Sequence, residues 1–364
     1  TGYVDRYVEH ILREINSICS RVIVVVNGEL AEEGKEILKK YADDVLLREN
    51  KGYDGAAYKE AIYNIGEPEL KKYEEVLLCN NSFFGPFIKL ETLFSYAEKE
   101  NVDFWGLSYR NTGIAAFIES YFLVFRENIV QSGALWDYFA QLVEISNYEE
   151  ARIFFERGIF HFFYAKGYKY GSLCSKRRYS SNLEFPYEVL RGDKLPILKK
   201  KCFYWQDCDL NSLQKVINYI QSNYKEWADE IDDWTQRKGI VIQNASENNT
   251  RKAELVNDYI ECVTIQEIQK WVEKFECIYL YGNGLYSHML IRLFGLTPKG
   301  IIVSDEQWKG ELQYDDVAII KKSCFDFQCD NVGIIVAVGR KSSEEICNSM
   351  GKCDNLFYIW GNAT

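Results

Sequence analysis

Two short polar clusters carry the densest chemistry in this sequence. Arg48-Glu49-Asn50-Lys51-Gly52-Tyr53-Asp54-Gly55-Ala56-Ala57 follows an apolar run and opens a helical pattern. Cys79-Asn80-Asn81-Ser82-Phe83-Phe84-Gly85-Pro86 closes another apolar run. A carboxylate, amides and a hydroxyl at the carboxyl ends of buried strands are what an open α/β sheet uses to hold a ligand. Gly52 and Gly55 allow close backbone approach and dihedrals barred to other residues. Asp54 either caps its helix or reaches a ribose or base, and a capped helix with a tight turn is the structural alternative. Further along, Gly282-Asn283-Gly284 has Ser287 in the place of a third glycine and Asp305 at the end of the next strand. That is a partial dinucleotide fingerprint, in which glycines admit phosphate and the acid binds ribose. It fits a scaffold or interaction domain equally well. Trp105, beside Gly106, is either a stacking face for a sugar ring or a core residue.

The elements that must position these residues alternate. Val4, Tyr7, Val8, Ile11, Leu12 and Ile15 lie on one face of a helix. Arg21 to Val26 is a continuous apolar run, as expected of a central strand in a parallel sheet. Strands are predicted over 44–48, 75–79, 102–107 and 120–125. Helices are predicted over 32–41, 56–65, 90–99, 132–142 and 149–165. This is the signature of an α/β sheet. A parallel sheet usually opens with a strand, so a first strand upstream of Thr1 is expected. Charged helices follow over 210–236, and Asn244 to Thr250 reads as a linker. A second α/β pattern has a helix over 265–275, strands over 277–281, 300–305, 334–338 and 356–359, and a helix over 286–294. The expected organisation is residues 1–205, a helical connector over 206–272, and a smaller Rossmann-like α/β domain over 273–364.

Composition narrows the function classes. With 364 residues and 47% hydrophobic content, disorder is excluded. A formal net charge of -11 argues against a nucleic-acid partner, which would need a basic surface. Eleven cysteines without a CxxC, and only three histidines, form no zinc signature. The cysteines read as buried and reduced, as in a cytoplasmic protein. No apolar run reaches the length of a membrane span, and no signal peptide is expected. Any association with the inner face of a membrane would be peripheral.

Five ordered runs resemble the rhamnan synthesis F family of rhamnosyltransferases. They are V-V-V-N-G-E-L from Val24, Y-A-D-D-V-L-L-R-E-N-K-G-Y-D-G-A-A-Y-K from Tyr41, L-L-C-N-N-S-F-F-G-P-F from Leu77, V-D-F-W-G-L from Val102 and E-S-Y-F-L-V-F from Glu119. The resemblance covers roughly residues 1–205, including L-P-I-L-K-K-K-C-F near its end. It implies a GT-A-like glycosyltransferase domain that transfers a sugar, L-rhamnose from dTDP-rhamnose, to a growing cell-surface polysaccharide or lipid-linked glycan. The donor would meet Asn27, Glu49, Asn50, Gly52, Asp54, Asn80, Asn81, Ser82 and Trp105.

GT-A enzymes often hold Mg²⁺ or Mn²⁺ on a D-x-D triplet, and hard cations need anionic oxygens. Here the triplet is Asn80-Asn81-Ser82. Either the metal is dispensable, or Asp103 or another carboxylate supplies it, or catalysis is weak. In related enzymes an acid stands eleven residues before the glycine of a G-Y-x segment and deprotonates the acceptor, which with Gly167-Tyr168 implies Glu156, with Glu149 and Glu150 as neighbours. The competing class is a non-catalytic binding protein of the polysaccharide-assembly machinery.

Overall fold

The computed structural model describes residues 2–110, 113–174, 183–241, 263–327, 331–350 and 353–360. The linker expected over 244–250 lies outside these. The chain divides into two compact units, each non-contiguous in sequence. The first comprises residues 1–110, 118–151 and 159–258, and the second 111–117, 152–158 and 259–364.

Elements follow the predicted alternation. The helix α1 (Arg6–Ile18) leads to β1 (Ile23–Asn27), α2 (Glu32–Lys39), β2 (Asp44–Arg48), α3 (Tyr53–Ile65), α4 (Glu67–Leu70) and β3 (Glu75–Cys79). Next come β4 (Phe83–Phe84), α5 (Leu90–Ala97), β5 (Phe104–Arg110), β6 (Phe117–Ile118), β7 (Phe122–Arg126), α6 (Glu127–Gln131) and α7 (Ala134–Gln141). The predicted helix over 149–165 is one helical run of three kinds. It comprises α8 (Tyr148–Glu150), a π-helical stretch Ala151–Arg157 and α9 (Gly158–Ala165). After β8 (Tyr170–Cys174), α10 (Pro186–Arg191) and β9 (Leu198–Lys199) come α11 (Leu210–Asn223) and α12 (Lys225–Arg237).

The strands of the first unit form separate ladders. β1 and β2 pair in parallel, with Asn27 opposite Arg48. β3 pairs antiparallel with β7, which pairs antiparallel with β5, and β8 lies parallel to β5. One apolar cluster is built from Phe83, Phe84, Trp105, Phe122 and Val124 with Tyr7 and Ile11 of α1. A smaller one gathers Val4, Leu12, Val22 and Leu38 around β1 and α2.

The helices expected as part of a connector belong to the first unit. Val216, Ile217 and Ile220 of α11 and Trp227, Ile231 and Trp234 of α12 join its main cluster. Most of their charges lie on the opposite faces, as in any helix that covers a core, while Glu230 of α12 is buried. His10 of α1 stacks on Trp227 at 4.1 Å and bonds Glu230 at 3.0 Å, tying α1 to α12.

The second unit contains α13 (Ile265–Val272), β10 (Cys277–Tyr281), α14 (Leu285–Arg292), β11 (Gly300–Val303), β12 (Gln313–Tyr314), β13 (Val317–Lys321), β14 (Val332–Val336), α15 (Arg340–Met350) and β15 (Leu356–Tyr358). Thr264 and Glu267 close a reciprocal capping box at the start of α13. The strand order is β12-β13-β11-β10-β14-β15, all parallel except the edge hairpin of β12 and β13. The core of the sheet is Leu280, Ile301, Ile335 and Ile359 on one face and Ile302, Ile334 and Val336 on the other. Among the described residues no helix is long and apolar enough to cross a membrane. The α/β class stands in both units.

Candidate functional site

The two polar clusters meet at one edge of the first unit. Gly52 caps α3 with φ +73°, a left-handed conformation that favours glycine. This turn sets Asp54 in the first turn of α3, where its side chain turns to a partner outside the helix. Asp54 Oδ2 accepts from Asn80 Nδ2 at 2.7 Å. Asn80 Oδ1 in turn accepts from the backbone N–H of Ser82 at 3.0 Å, holding the loop after β3 in a tight turn. Burial pushes the Asp54 carboxyl above its usual range, a shift that the Asn80 bond and the Lys199 ammonium partly offset.

Lys199 is the residue that sequence reasoning missed. β9 pairs antiparallel with β4, Phe83 opposite Lys199 and Phe84 opposite Leu198. This brings Lys199 Nζ to 2.8 Å from Ser82 Oγ and 3.8 Å from the centre of the Tyr121 ring. Lys200 follows on the other face. Its Nζ donates to Tyr7 Oη at 2.5 Å, and Tyr7 Oη donates to the Asn81 carbonyl at 3.1 Å. Burial lowers the Lys200 ammonium from the usual 10.5 to about 8, with Lys238 and Lys199 adding to the shift. The signal in the sequence was the triple lysine after L-P-I-L, a charge run beside a buried strand.

The other predicted residues fall in several places. Asn27, at the end of β1, accepts from Arg48 Nη1 at 2.6 Å. Glu49 and Asn50 are exposed, and Glu49 pairs with Lys51. Trp105 is 2% exposed and packs edge-on against Phe94 at 5.2 Å, so its ring offers no face to a sugar. It is a core residue because it lies inside β5 and not at its end.

Asp103 is likewise misplaced for a metal beside Asn80. It precedes β5, which runs parallel to β3, and so lies at the opposite edge of the sheet. Its two oxygens accept from Asn128 Nδ2 and the Lys169 N–H, each at 2.7 Å. The residues at the strand ends do not suit Mg²⁺ or Mn²⁺. They offer one desolvated carboxylate, already bonded to an amide, with an ammonium alongside. Among the described residues, the group spaced like metal ligands is His10, Glu226 and Glu230, on α1 and α12. Those side chains are engaged with one another and with Arg13.

Glu156 groups with the second unit. It sits in the π-helical stretch, its carboxylate 3.2 Å from Arg157 Nη1, and the Arg157 guanidinium lies over Phe117 at 4.4 Å. Short π segments are frequent at functional sites.

In the second unit the glycine turn follows β10 as expected. A Cβ on Gly282, at φ +107°, would come within 2.3 Å of Val338 Cγ1, so packing alone requires this glycine. Ser287 is fully buried and donates to the Gly282 carbonyl. Around Gly284 the space is open. Asp305 accepts from Ser323 Oγ at 2.5 Å and from the Ser323 N–H at 3.2 Å, which accounts for its position without a ribose.

The first unit thus gathers an ammonium and a buried carboxylate around one polar loop. It offers an ammonium, a hydroxyl and a polar loop pre-set by the Asp54–Asn80 bond, all at the strand-end position where open α/β sheets bind ligands. No curated protein and no solved structure matches this chain. The family model described as rhamnan synthesis protein F matches residues 22–274, which contain every member of this cluster and well over half of the chain. The chain belongs to the rhamnan synthesis protein F family.

Proposed function

We propose that the protein is a glycosyltransferase of rhamnan synthesis. Its first unit would be a GT-A-like domain that binds a nucleoside-diphospho-sugar, dTDP-L-rhamnose, and passes the sugar to a growing polysaccharide or lipid-linked glycan. The observation that carries this reading is the cluster of Asp54, Asn80, Ser82 and Lys199. Family membership supports the role in rhamnan synthesis.

In this reading Asn27 and Asp54 face the nucleotide, and Lys199 faces the diphosphate. An acceptor hydroxyl attacks the anomeric carbon from the side opposite the diphosphate. The C–O bond to the diphosphate breaks, and the electron pair leaves with that oxygen. Lys199 offsets the charge gathering there, the part a divalent cation plays at other phosphate sites. The acceptor proton passes to a carboxylate, for which Glu156 is the candidate. The stereochemical outcome is inversion.

The second unit's parallel strands, with β10 and β14 adjacent at the centre, support a Rossmann-like domain. Its role in this reading is as a scaffold or interaction domain, because packing and Ser323 account for Gly282 and Asp305.

Titration calorimetry with dTDP-rhamnose tests the reading, using the wild type and Lys199→Ala. Removing a charge-assisted contact of about 1.5–3 kcal/mol should weaken binding by about 10- to 150-fold. Equal affinity in a folded variant sinks the site.

A further inference from the structure

Three exposed tyrosines stand beside the polar cluster of the first unit. Tyr53 is 43% exposed, Tyr148 59% and Tyr204 65%. Tyr53 immediately precedes Asp54, whose carboxylate bonds Asn80. Tyr204 closes the short 3₁₀ turn Lys200–Phe203 that follows Lys199. The rings of Tyr53 and Tyr148 lie 6.2 Å apart, tilted by 51°. Tyr204 neighbours Tyr148: local burial raises its phenol above the usual value, and Cys202 and then Tyr148 add to the rise. One exposed aromatic ring is ordinary, but a group of them marks a place where something docks.

Each ring is held in place although it meets solvent. Tyr53 has φ +54°, directly after Gly52 at +73°. A bulky side chain rarely takes this left-handed conformation, and a ring so exposed gains little burial in return. Strain of that kind persists where position matters. Tyr148 is fixed by a reciprocal pair of bonds. Asn147 Oδ1 accepts from the Glu150 N–H at 2.9 Å, and Glu150 Oε2 accepts from the Ser146 N–H at 2.7 Å. The same loop is moored to α3, where Lys59 Nζ donates to the Leu142 carbonyl at 2.8 Å. The Ile145 carbonyl lies 3.7 Å from the Cβ position of Gly52. The Tyr204 N–H bonds the Lys201 carbonyl at 3.2 Å, and Cys202 between them is buried in the main cluster. The rings are therefore presented on ordered turns, which lowers the entropy lost on capturing a ligand.

The chemistry of the rings says what the ligand is. A saccharide has C–H faces that stack on aromatic rings and hydroxyls that bond a phenol, and tyrosine offers both an apolar face and a polar tip. Separate, tilted rings suit successive units of a chain that bends at each linkage. A nucleobase is flat, and two rings tilted by 51° cannot clamp both of its faces.

We propose that Tyr53, Tyr148 and Tyr204 form a subsite for a saccharide chain, the acceptor end of a growing glycan, beside the candidate donor site. That the chain is the acceptor of a transfer rests on the glycosyltransferase reading; that the tyrosines bind saccharide does not.

Saturation-transfer NMR with a trisaccharide of L-rhamnose, and no donor, tests the subsite. The wild type should bind this probe with a Kd of about 1 mM or tighter. Tyr148→Ala and Tyr204→Ala should each weaken it by about three- to tenfold, while Tyr148→Phe and Tyr204→Phe keep the ring and most of the affinity. Tyr53 is left intact, because it adjoins Asp54. Calorimetry with dTDP-rhamnose should give a Kd within about twofold of the wild type in every variant, as expected of separate sites. Three results overturn the proposal. One is a wild type that does not bind the trisaccharide at about 10 mM. Another is an alanine pair that binds it as well as the wild type does. The third is alanine variants that lose dTDP-rhamnose instead, which would place the nucleotide on the rings. A wild type that binds the trisaccharide through these tyrosines but binds no nucleotide-sugar would leave the subsite standing and sink the transferase reading alone.

Discussion

Lys200 lends itself to a quantitative test. Its ammonium sits largely out of water against Tyr7, and burial lowers it from the usual 10.5 to about 8. At about 1.4 kcal/mol per tenfold change, holding the proton in the folded protein costs about 3 kcal/mol at neutral pH. The unfolded chain binds this proton more tightly than the folded one. The penalty is therefore complete below pH 8, and stability is regained as pH rises from about 8 toward 10.5. Lys200→Met keeps the length and removes the charge. It also removes a hydrogen bond worth about 1 kcal/mol, while Tyr7 keeps its bond to the Asn81 carbonyl. The variant should then be more stable than the wild type by about 2 kcal/mol at pH 7, and close to equal at pH 10. Urea unfolding at both pH values, read as the difference between the proteins, cancels the titration of all other groups. A difference that stays the same within about 0.5 kcal/mol between pH 7 and pH 10 would refute the argument, since it would mean that Lys200 is not held against its solvation.

Four further outcomes are expected. Asp54→Ala removes the acceptor of the Asn80 amide and should weaken nucleotide-sugar binding by about tenfold or more, with the far-ultraviolet spectrum unchanged. Glu156→Gln should leave donor affinity intact and lower kcat by about 10²–10⁴-fold; near-normal turnover with chemistry rate-limiting would make Glu156 a structural residue and turn attention to Glu149 and Glu150. EDTA should change the donor Kd by less than about threefold, whereas complete loss restored by Mn²⁺ would mean that a carboxylate outside 80–82 holds a metal. Gly282→Ala should destabilise the protein by about 1–3 kcal/mol in thermal melts, because its Cβ would meet Val338 at a left-handed φ.

Apolar runs made the strands of both units legible. Arg21 to Val26, Glu75 to Cys79, Cys277 to Tyr281 and Ile334 to Val338 all overlap strands, because a strand covered on both faces is predominantly apolar whether its partner is parallel or antiparallel. What escaped was whatever depends on pairing across long separations. β4 and β9 are two residues each, too short for any periodicity, yet their ladder delivers Lys199 to the site. The charges of α11 and α12 masked Trp227 and Trp234, which occur once per several residues on a face that only the folded core reveals. Trp105 and Asp103 were misread for a shared reason: a residue one or two places from a strand end cannot be assigned to one edge of the sheet until the strand's direction and limits are known. Asp54 and Asn80 were legible because both follow strands at turns that glycine or amide residues mark.

The bond between Lys199 and Ser82 spans 117 positions of sequence. On the ribosome, at about 5–20 residues per second, the loop after β3 emerges roughly 6–23 seconds before the lysine that will charge it. Closing so long a loop is also entropically costly and slow relative to local helix formation. The Asp54–Asn80 pair, separated by 26 positions, can form first. The cluster would therefore mature in two stages, first the Asp54–Asn80 cradle and then the same cradle with the Lys199 ammonium beside it. A chain that ends before residue 199 would carry the first without the second.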